Sequence, residues 1–418
     1  MKRIGAVVSG LALVFACLAG AAGLAGCSGN GGQAGSGQAA DTSGDAAGAA
    51  QAVGTEDGQD GQAADAAPNN PPELEGLTYE SSMDPQYATQ FNVYYYSDGF
   101  KVLDVANDAQ YLVVPEGAQV PANLPQGMVV LQQPLSNVYV AATAAPALID
   151  AIGGLDAVTM SGTDADGWSV DAMREAIEAG TITYVGKYSA PDYETLVDKG
   201  CDMALESTMI LHSPDVKEAL EKLGIPVMVE HSSYEADPMG RVEWARFYGA
   251  LLNCEEQADA FFAEQAKLVE DLGSFENTGK TVAFFSVNSN GQVVVRRPGD
   301  FITRSIDIAG GVYPFAYLDD SGKLSTMKIS MEEFYATAVD ADYLVYNGTI
   351  EAPLKSIDDL LDKNQTFAEY KAVKEGHVYT TDKDMYQETD KLAELINDFH
   401  ILVTDGDPAS LVFLKNVE

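Results

Sequence analysis

The stretch "APDYETLVDKGCDMALESTMILHSPDVKEALEKLGIPVMVEHSS", residues 190–233, decides the fold. Twice in a row it places a polar-faced helix before a short, almost wholly apolar strand. "APDYETLVDKG" ends on Gly200 and leads into "CDMALES". "SPDVKEALEKLG" has Ser213 before its first turn, Pro214 inside it and Gly224 after its last, and leads into "IPVMVEHSS". Proline at the first turn and glycine just past the last are the expected ends of a helix. Strands with polar residues only at their ends, separated by helices, predict a parallel sheet covered on both faces.

Toward the N-terminus the same rhythm continues. "MVVLQQP" reads as a strand, "AAPALIDAIGG" as a helix and "AVTMSG" as a strand. "SVDAMREAIEAG" follows as a helix capped by Ser169, and "TITYVG" as a strand. Ligands of such sheets bind at the carboxyl ends of the strands. The ends expected here are Ser136-Asn137-Tyr139, Gly186-Lys187-Tyr188-Ser189, Glu206-Ser207-Met209 and Glu230-His231-Ser232-Ser233-Tyr234. They are polar and aromatic, as a binding cleft is. The lobe is expected to run from 126 to 238. Ahead of it, residues 73–125 read as a β-rich extension, a meander of strands at 91–96, 101–105 and 111–114 with the turn Ser97-Asp98-Gly99.

After the lobe, Met239 to Leu272 reads as one long helix, assigned with its exit to 239–275. Ala258, Phe261, Phe262, Gln265, Val269 and Leu272 keep helical spacing, and only "NCEE" at 253–256 weakens it. A second α/β lobe, 276–418, follows. It opens with a hairpin through Asn290-Gly291, then a helix capped by Asp300, and alternates to a last helix at 388–402. The expected fold is therefore α/β, with two lobes built on mostly parallel sheets, one long helix joining them and a β meander in front.

The chain starts with an export signature. Lys2 and Arg3 precede an apolar run from Ile4 to Leu18, and small residues surround Cys27 in Leu24-Ala25-Gly26-Cys27. Residues 1–26 read as a signal peptide. Residues 27–72, rich in Gly, Ala, Ser, Gln and Asp, cannot bury enough apolar surface to fold and read as a tether. Its root-mean-square span is about 35–40 Å.

The 418 residues carry 63 acidic and 24 basic side chains, a formal charge of −39. This argues against a nucleic acid partner, which needs clustered Lys and Arg. The excess is consistent with solvation of a surface protein. No CxxC, HExxH or Walker-type loop is present, nor any Ser/His/Asp order or paired carboxylates at the strand ends. Cys201 and Cys254 are the one pair in the body available for a disulfide; two free thiols fit the sequence equally well.

Several phrases in order resemble the solute-binding proteins of metal-chelate ABC importers. They are "PDYETLVDKGCDMALE" (191–206), "LEKLGIPVMV" (220–229), "DFITRSIDIAGGV" (300–312), "SMEEFYATAVDADYLVY" (330–346) and "YKAVKEGHVYTTD" (370–382), within a resemblance spanning about 130 to 403. The N-terminus likewise resembles a bacterial lipobox. The resemblance implies diacylglycerol on Cys27 and a monomer anchored on the outer face of the cytoplasmic membrane. It further implies capture of a ferric siderophore, haem or corrinoid between the lobes, and delivery to an ABC permease dimer with its ATPase. No intrinsic cofactor, catalysis or resident metal is implied. Glu194 and Glu388 fall where the family carries its permease-docking carboxylates, with Asp390 or Asp384 as alternatives to Glu388. The meander is extra to the family pattern.

The expected ligand contacts are Asn137, Tyr188, Glu206, Met209, Tyr234, Arg241, Arg296, Arg297 and Asn347. Arg296 and Arg297 alternate across a strand, so at most one enters the cleft. Arg241 either meets ligand or pairs with Glu235 or Glu243. Tyr188 and Tyr234 either stack on a flat ligand, ligate haem iron, or pack. His212 and His231 with Glu206 and Glu230 would suit a bare transition metal. A surface sensor or adhesin of the same fold, and an anchored enzyme, are the other readings.

Overall fold

The structure, a computed structural model, describes residues 70–106, 108–319, 325–349 and 351–418. Cys27, the signal peptide and nearly all of the tether lie outside the described residues.

Three sheets organise the chain. The first has the order β1-β2-β3-β4-β5, from β1 (Tyr79–Ser82), β2 (Phe91–Tyr96), β3 (Lys101–Val105), β4 (Gln110–Val114) and β5 (Val129–Gln132). The first four strands pair antiparallel, and β5 joins β4 in parallel. The extension therefore continues past 125 to Gln132. "MVVLQQP", expected to open the first lobe, is its last strand.

Alternation in β2 explains the packing of this sheet. Phe91 and Val93 face the helix that follows the first lobe, with Phe91 edge-on to Trp244 at 5.1 Å and to Phe247 at 5.3 Å. Tyr94 and Tyr96 face the other way, into a small core with Leu74, Phe100 and Leu112. The meander is thus continuous with the core of the first lobe.

The first lobe is an all-parallel sheet of order β10-β9-β6-β7-β8. Its strands are β6 (Val138–Val140), β7 (Val158–Ser161), β8 (Thr183–Tyr184), β9 (Met203–Ser207) and β10 (Val227–Glu230). Helices α1 (Ala145–Ala151), α2 (Asp171–Glu178), α3 (Tyr193–Asp198) and α4 (Pro214–Lys222) alternate with them. The sequence reading missed β6, the central strand. Ser169 does not cap α2; its N–H is used elsewhere.

The expected single helix is two: α5 (Pro238–Leu252) and α6 (Glu255–Gly273). Asn253 adopts the left-handed conformation (φ 59°) and ends α5. Lys101 of β3 drives its ammonium into this break, donating to Ala250 O at 3.0 Å and Asn253 Oδ1 at 2.8 Å and pairing with Glu255. Gln133 donates to Leu251 O at 2.6 Å. The carbonyls released at the end of α5 thus have partners, including a cation where the helix dipole favours one. The two helices then pack against each other. Arg246 bonds Asp259 at 2.7 Å and its guanidinium lies 5.8 Å from the Phe262 ring. Gly249 allows the contact, since a Cβ there would sit 2.6 Å from Ala258 Cβ.

The second lobe carries a mixed sheet, β13-β12-β11-β14-β15-β16. Its strands are β11 (Val282–Val287), β12 (Val293–Arg296), β13 (Thr326–Ile329), β14 (Tyr343–Tyr346), β15 (Val378–Thr380) and β16 (Lys415–Asn416). The centre, β11-β14-β15, is parallel. The helices are α7 (Phe301–Ile308), α8 (Met331–Ala338), α9 (Ile357–Lys363), α10 (Lys371–Glu375), α11 (Asp384–Gln387) and α12 (Leu392–Val403). Asp300 caps α7, accepting from Ile302 N at 3.0 Å, as expected. Cys201 and Cys254 are both free thiols.

Candidate functional site

A cavity of about 250 Å³ opens between the lobes. The first lobe supplies Thr143 and Ala144 after β6, Ser207 to Met209 after β9, and Glu230, Ser232 and Ser233 at the end of β10. The second lobe supplies Phe301 at the start of α7, and Met385, Tyr386, Thr389 and Leu392 around the start of α12. Arg241, in the first turn of α5, sits between the two sets. Parallel strands ending side by side place the first wall, as the topology requires.

The charged groups are held in a network. Arg241 lies over the Phe301 ring at 3.7 Å, a cation–π distance. It donates to Ser233 O at 2.7 Å and Glu235 O at 3.1 Å. Of the two pairing partners expected for it, only Glu235 is met, and through its backbone carbonyl. The carboxylate of Glu243 instead accepts the N–H groups of Gln86, Tyr87 and Ala88, and that of Glu235 those of Thr89 and Gln90. These two buried acids clamp the extension to α5.

Arg296, buried at the end of β12, pairs with Asp300 at 3.6 Å and donates to the Tyr386 hydroxyl. Asn347 lies beside Tyr386 and lowers its phenol slightly. Burial raises the Tyr386 phenol and Asp300 adds to the rise; the guanidinium groups of Arg296 and Arg241 oppose it. Glu230 is 2% exposed, and its Oε2 accepts Ser232 N at 2.8 Å. Burial pushes its carboxyl up, and Ser232 and Arg241 pull it back.

Of the expected contacts, Met209 and Arg241 line the cavity, and Arg296 and Asn347 stand behind Tyr386. The others do not meet there. Asn137 precedes β6, at the opposite edge of the sheet, where Asp202 accepts its backbone N–H at 2.8 Å; missing β6 led to its misplacement. Tyr188 packs against the core of the first lobe. Tyr234 turns edge-on to His231 at 5.2 Å. Arg297 points to the other side of β12 and donates to Asp319 O. Glu206 is wholly buried among apolar side chains, with neither oxygen hydrogen-bonded. Among the described residues, no three His, Cys, Asp or Glu side chains gather as a metal site.

Glu194 is exposed in the first turn of α3. Glu388 is paired with Lys391 at 2.6 Å, between α11 and the 3-10 turn ahead of α12. Tyr386, Phe301 and Glu230 were not singled out as contacts. The last ends a strand already read as a cleft edge, so its position was legible; Tyr386 lies in a segment with no periodic signal.

A largely apolar cavity with a few convergent polar groups, lying between two α/β lobes at the ends of parallel strands, defines a two-lobe binding protein. The chain belongs to the periplasmic binding protein family, whose model matches residues 140–385, more than half of its length. An uncharacterized lipoprotein of Methanocaldococcus jannaschii is 23% identical over 332 residues, covering 72% of this chain and 77% of the relative. A second from that organism is 27% identical over 319 residues, with the same coverage. Among solved structures, a periplasmic haem-binding protein from Pseudomonas aeruginosa superposes with a TM-score of 0.50 at 17% identity, over 68% of this chain and 98% of that one. A possible iron-binding periplasmic solute-binding protein from Staphylococcus epidermidis gives 0.50 at 15%, over 64% and 97%. At these identities the structures share the fold.

Proposed function

We propose that this chain is the solute-binding component of an ABC importer for a metal chelate, of the ferric siderophore, haem or corrinoid class. The observation that carries this reading is the inter-lobe cavity, with Arg241, Tyr386 and Glu230 converging on it from separate elements. The family supplies the solute-binding role, and structural neighbours named for haem and iron binding favour the chelate class. Relatives named lipoproteins favour lipid attachment at Cys27, on the outer face of the membrane. A cavity of about 250 Å³ lies below the ~300–1,000 Å³ usual for a bound small molecule, so the lobes part to admit a chelate. The ligand then travels bound, without chemistry, to a permease.

The test is the absorption spectrum and mass analysis of the protein purified from its own host. A co-purifying ferric, haem or corrinoid species is expected. A protein that carries none and binds none in titration contradicts the proposal.

A further inference from the structure

We infer that Glu235 is a positioning residue of the inter-lobe site: the N-terminal extension fixes its carboxylate, and its backbone carbonyl sets Arg241 in the cavity. This rests on the solute-binding reading above and deepens it, by making the extension a working part of the site.

Arg241 lines the cavity between the walls of the two lobes. A free arginine side chain samples many rotamers, and fixing one on a ligand costs side-chain entropy. Here the guanidinium is held in advance, over the Phe301 ring at 3.7 Å and by the carbonyls of Ser233 at 2.7 Å and Glu235 at 3.1 Å. Such preorganisation tightens binding by lowering what the ligand must order. The three holds are unequal. Phe301 belongs to the second lobe, and Ser233 is exposed in its turn. Glu235 is 1% exposed and is itself anchored.

The anchor comes from the extension. The Glu235 carboxylate accepts the backbone N–H of Thr89 at 2.8 Å and of Gln90 at 2.9 Å, and the Thr89 hydroxyl at 3.0 Å. Trp244 Nε1 of α5 donates to it at 3.2 Å. Burial raises this carboxyl, and the donors pull it back by favouring the charged form. Residues 89 and 90 lead directly into β2, whose Phe91 packs on Trp244 and Phe247. Gly240, next to Arg241, lets the extension approach: a Cβ there would stand 3.1 Å from Tyr87 O. One residue therefore ties a sheet to the cavity arginine, with its carboxylate on one side and its carbonyl on the other. Glu243 clamps the same segment, but its cation is Arg246. The two acids thus separate clamping from positioning.

Phenylglyoxal modification of the mature full-length protein, followed at each arginine by peptide mass spectrometry, measures how firmly Arg241 is held with no ligand present. Glu235→Gln keeps the side chain's size but turns an amide toward N–H donors. Arg241 should then react about tenfold faster than in wild type, with Arg296 unchanged. Thr89→Val, a surface change that removes one hydroxyl from the carboxylate, should give a smaller rise of about twofold. Glu243→Gln should leave the Arg241 rate unchanged. Equilibrium dialysis against haem, cyanocobalamin and ferrioxamine B, followed by each chelate's own absorbance, measures the effect on binding. Glu235→Gln should weaken the chelate that wild type takes up by about tenfold, yet add nothing on an Arg241→Ala background, where no arginine is left to position. An Arg241 rate unchanged by Glu235→Gln and Thr89→Val, a loss of affinity that persists undiminished with Arg241→Ala, or an equal response to Glu243→Gln overturns the inference and leaves the solute-binding reading standing. A wild type that binds none of these chelates overturns the chelate reading, and the phenylglyoxal rates still decide whether Glu235 positions Arg241.

Discussion

Glu206 sits at the end of β9 with both carboxyl oxygens sealed from solvent and unpartnered. Burial pushes its pKa from 4.5 up to about 8. Folded protein therefore keeps a proton that the unfolded chain has released over that interval. The stability this group provides is complete below pH 4.5 and is lost as pH rises to about 8, at a limiting slope of about 1.4 kcal/mol per pH unit. Urea midpoints of wild type should fall between pH 5 and 8 relative to Glu206→Gln, which stays neutral throughout; parallel profiles would show that Glu206 ionises freely. The two strand-end arginines differ just as sharply. Truncating Arg296 leaves Asp300 buried without its cation, so Arg296→Ala should cost roughly 3–5 kcal/mol in denaturant melts. Arg297→Ala, on the far side of the strand, should leave chelate affinity unchanged. A weakened chelate with Arg297→Ala and a stable Arg296→Ala protein would reverse the assignment.

Between the lobes, the α5–α6 pair matters more than any single side chain. A continuous helix of this length would be a rod; the break at Asn253 folds it into a hairpin packed on itself and on the extension. Lys101 from the extension and Gln133 immediately after its last strand hold the break. This gives the meander a role that its sequence does not announce: it buttresses the element joining the lobes. The tight contact at Gly249 leaves no room for a methyl group. Gly249→Ala should therefore destabilise the protein by about 1–3 kcal/mol, despite alanine's better helix propensity. Thermal unfolding checks this, and a raised midpoint would mean that the helices part without cost.

For the molecule as a whole, the question is what keeps the lobes together over so small a cavity. Gln387 reaches across from the second lobe, accepting from Ser169 N at 2.6 Å and donating to Gly167 O at 3.0 Å. Lys383 donates to Asp166 O at 2.8 Å. The two bonds made by Gln387, at ~0.5–1.5 kcal/mol each, set the scale of its share in this latch. Gln387→Ala should speed release of a bound chelate about tenfold in stopped-flow quenching, with a small expansion of the free protein in solution scattering. Unchanged release would place the closing contact elsewhere. Docking is a separate property. Glu194, exposed on α3, is proposed to meet permease arginines, and Glu194→Lys should impair uptake in cells while leaving chelate affinity intact. Normal uptake would remove it from the docking face. Glu388 is a weaker candidate, because Lys391 already neutralises it.

Much of this architecture is local information. Helix ends at Gly200 and Gly224, the Asp300 cap, apolar strands and their polar ends are set by neighbours a few residues apart, so the two α/β lobes and one cleft edge were readable from the chain. The lipobox reading and the absence of catalytic motifs are likewise properties of sequence order. Other features depend on residues far apart in the chain. Val138–Val140 is too short to announce itself, yet pairing with β7 and β9 makes it central, which moves Asn137 off the cleft. Helical periodicity runs through residues 239–272, and it is Lys101 and Gln133, more than a hundred residues upstream, that meet the Ala250 and Leu251 carbonyls exposed by the break. Arg296 reaches Tyr386 behind the cleft and Arg297 reaches Asp319, because neighbouring residues at the end of β12 point to opposite sides. Tyr386, Phe301 and Glu230 become one site only when two lobes close. Short-range patterns specify elements; burial, pairing register and the partners of polar groups are decided where distant segments meet.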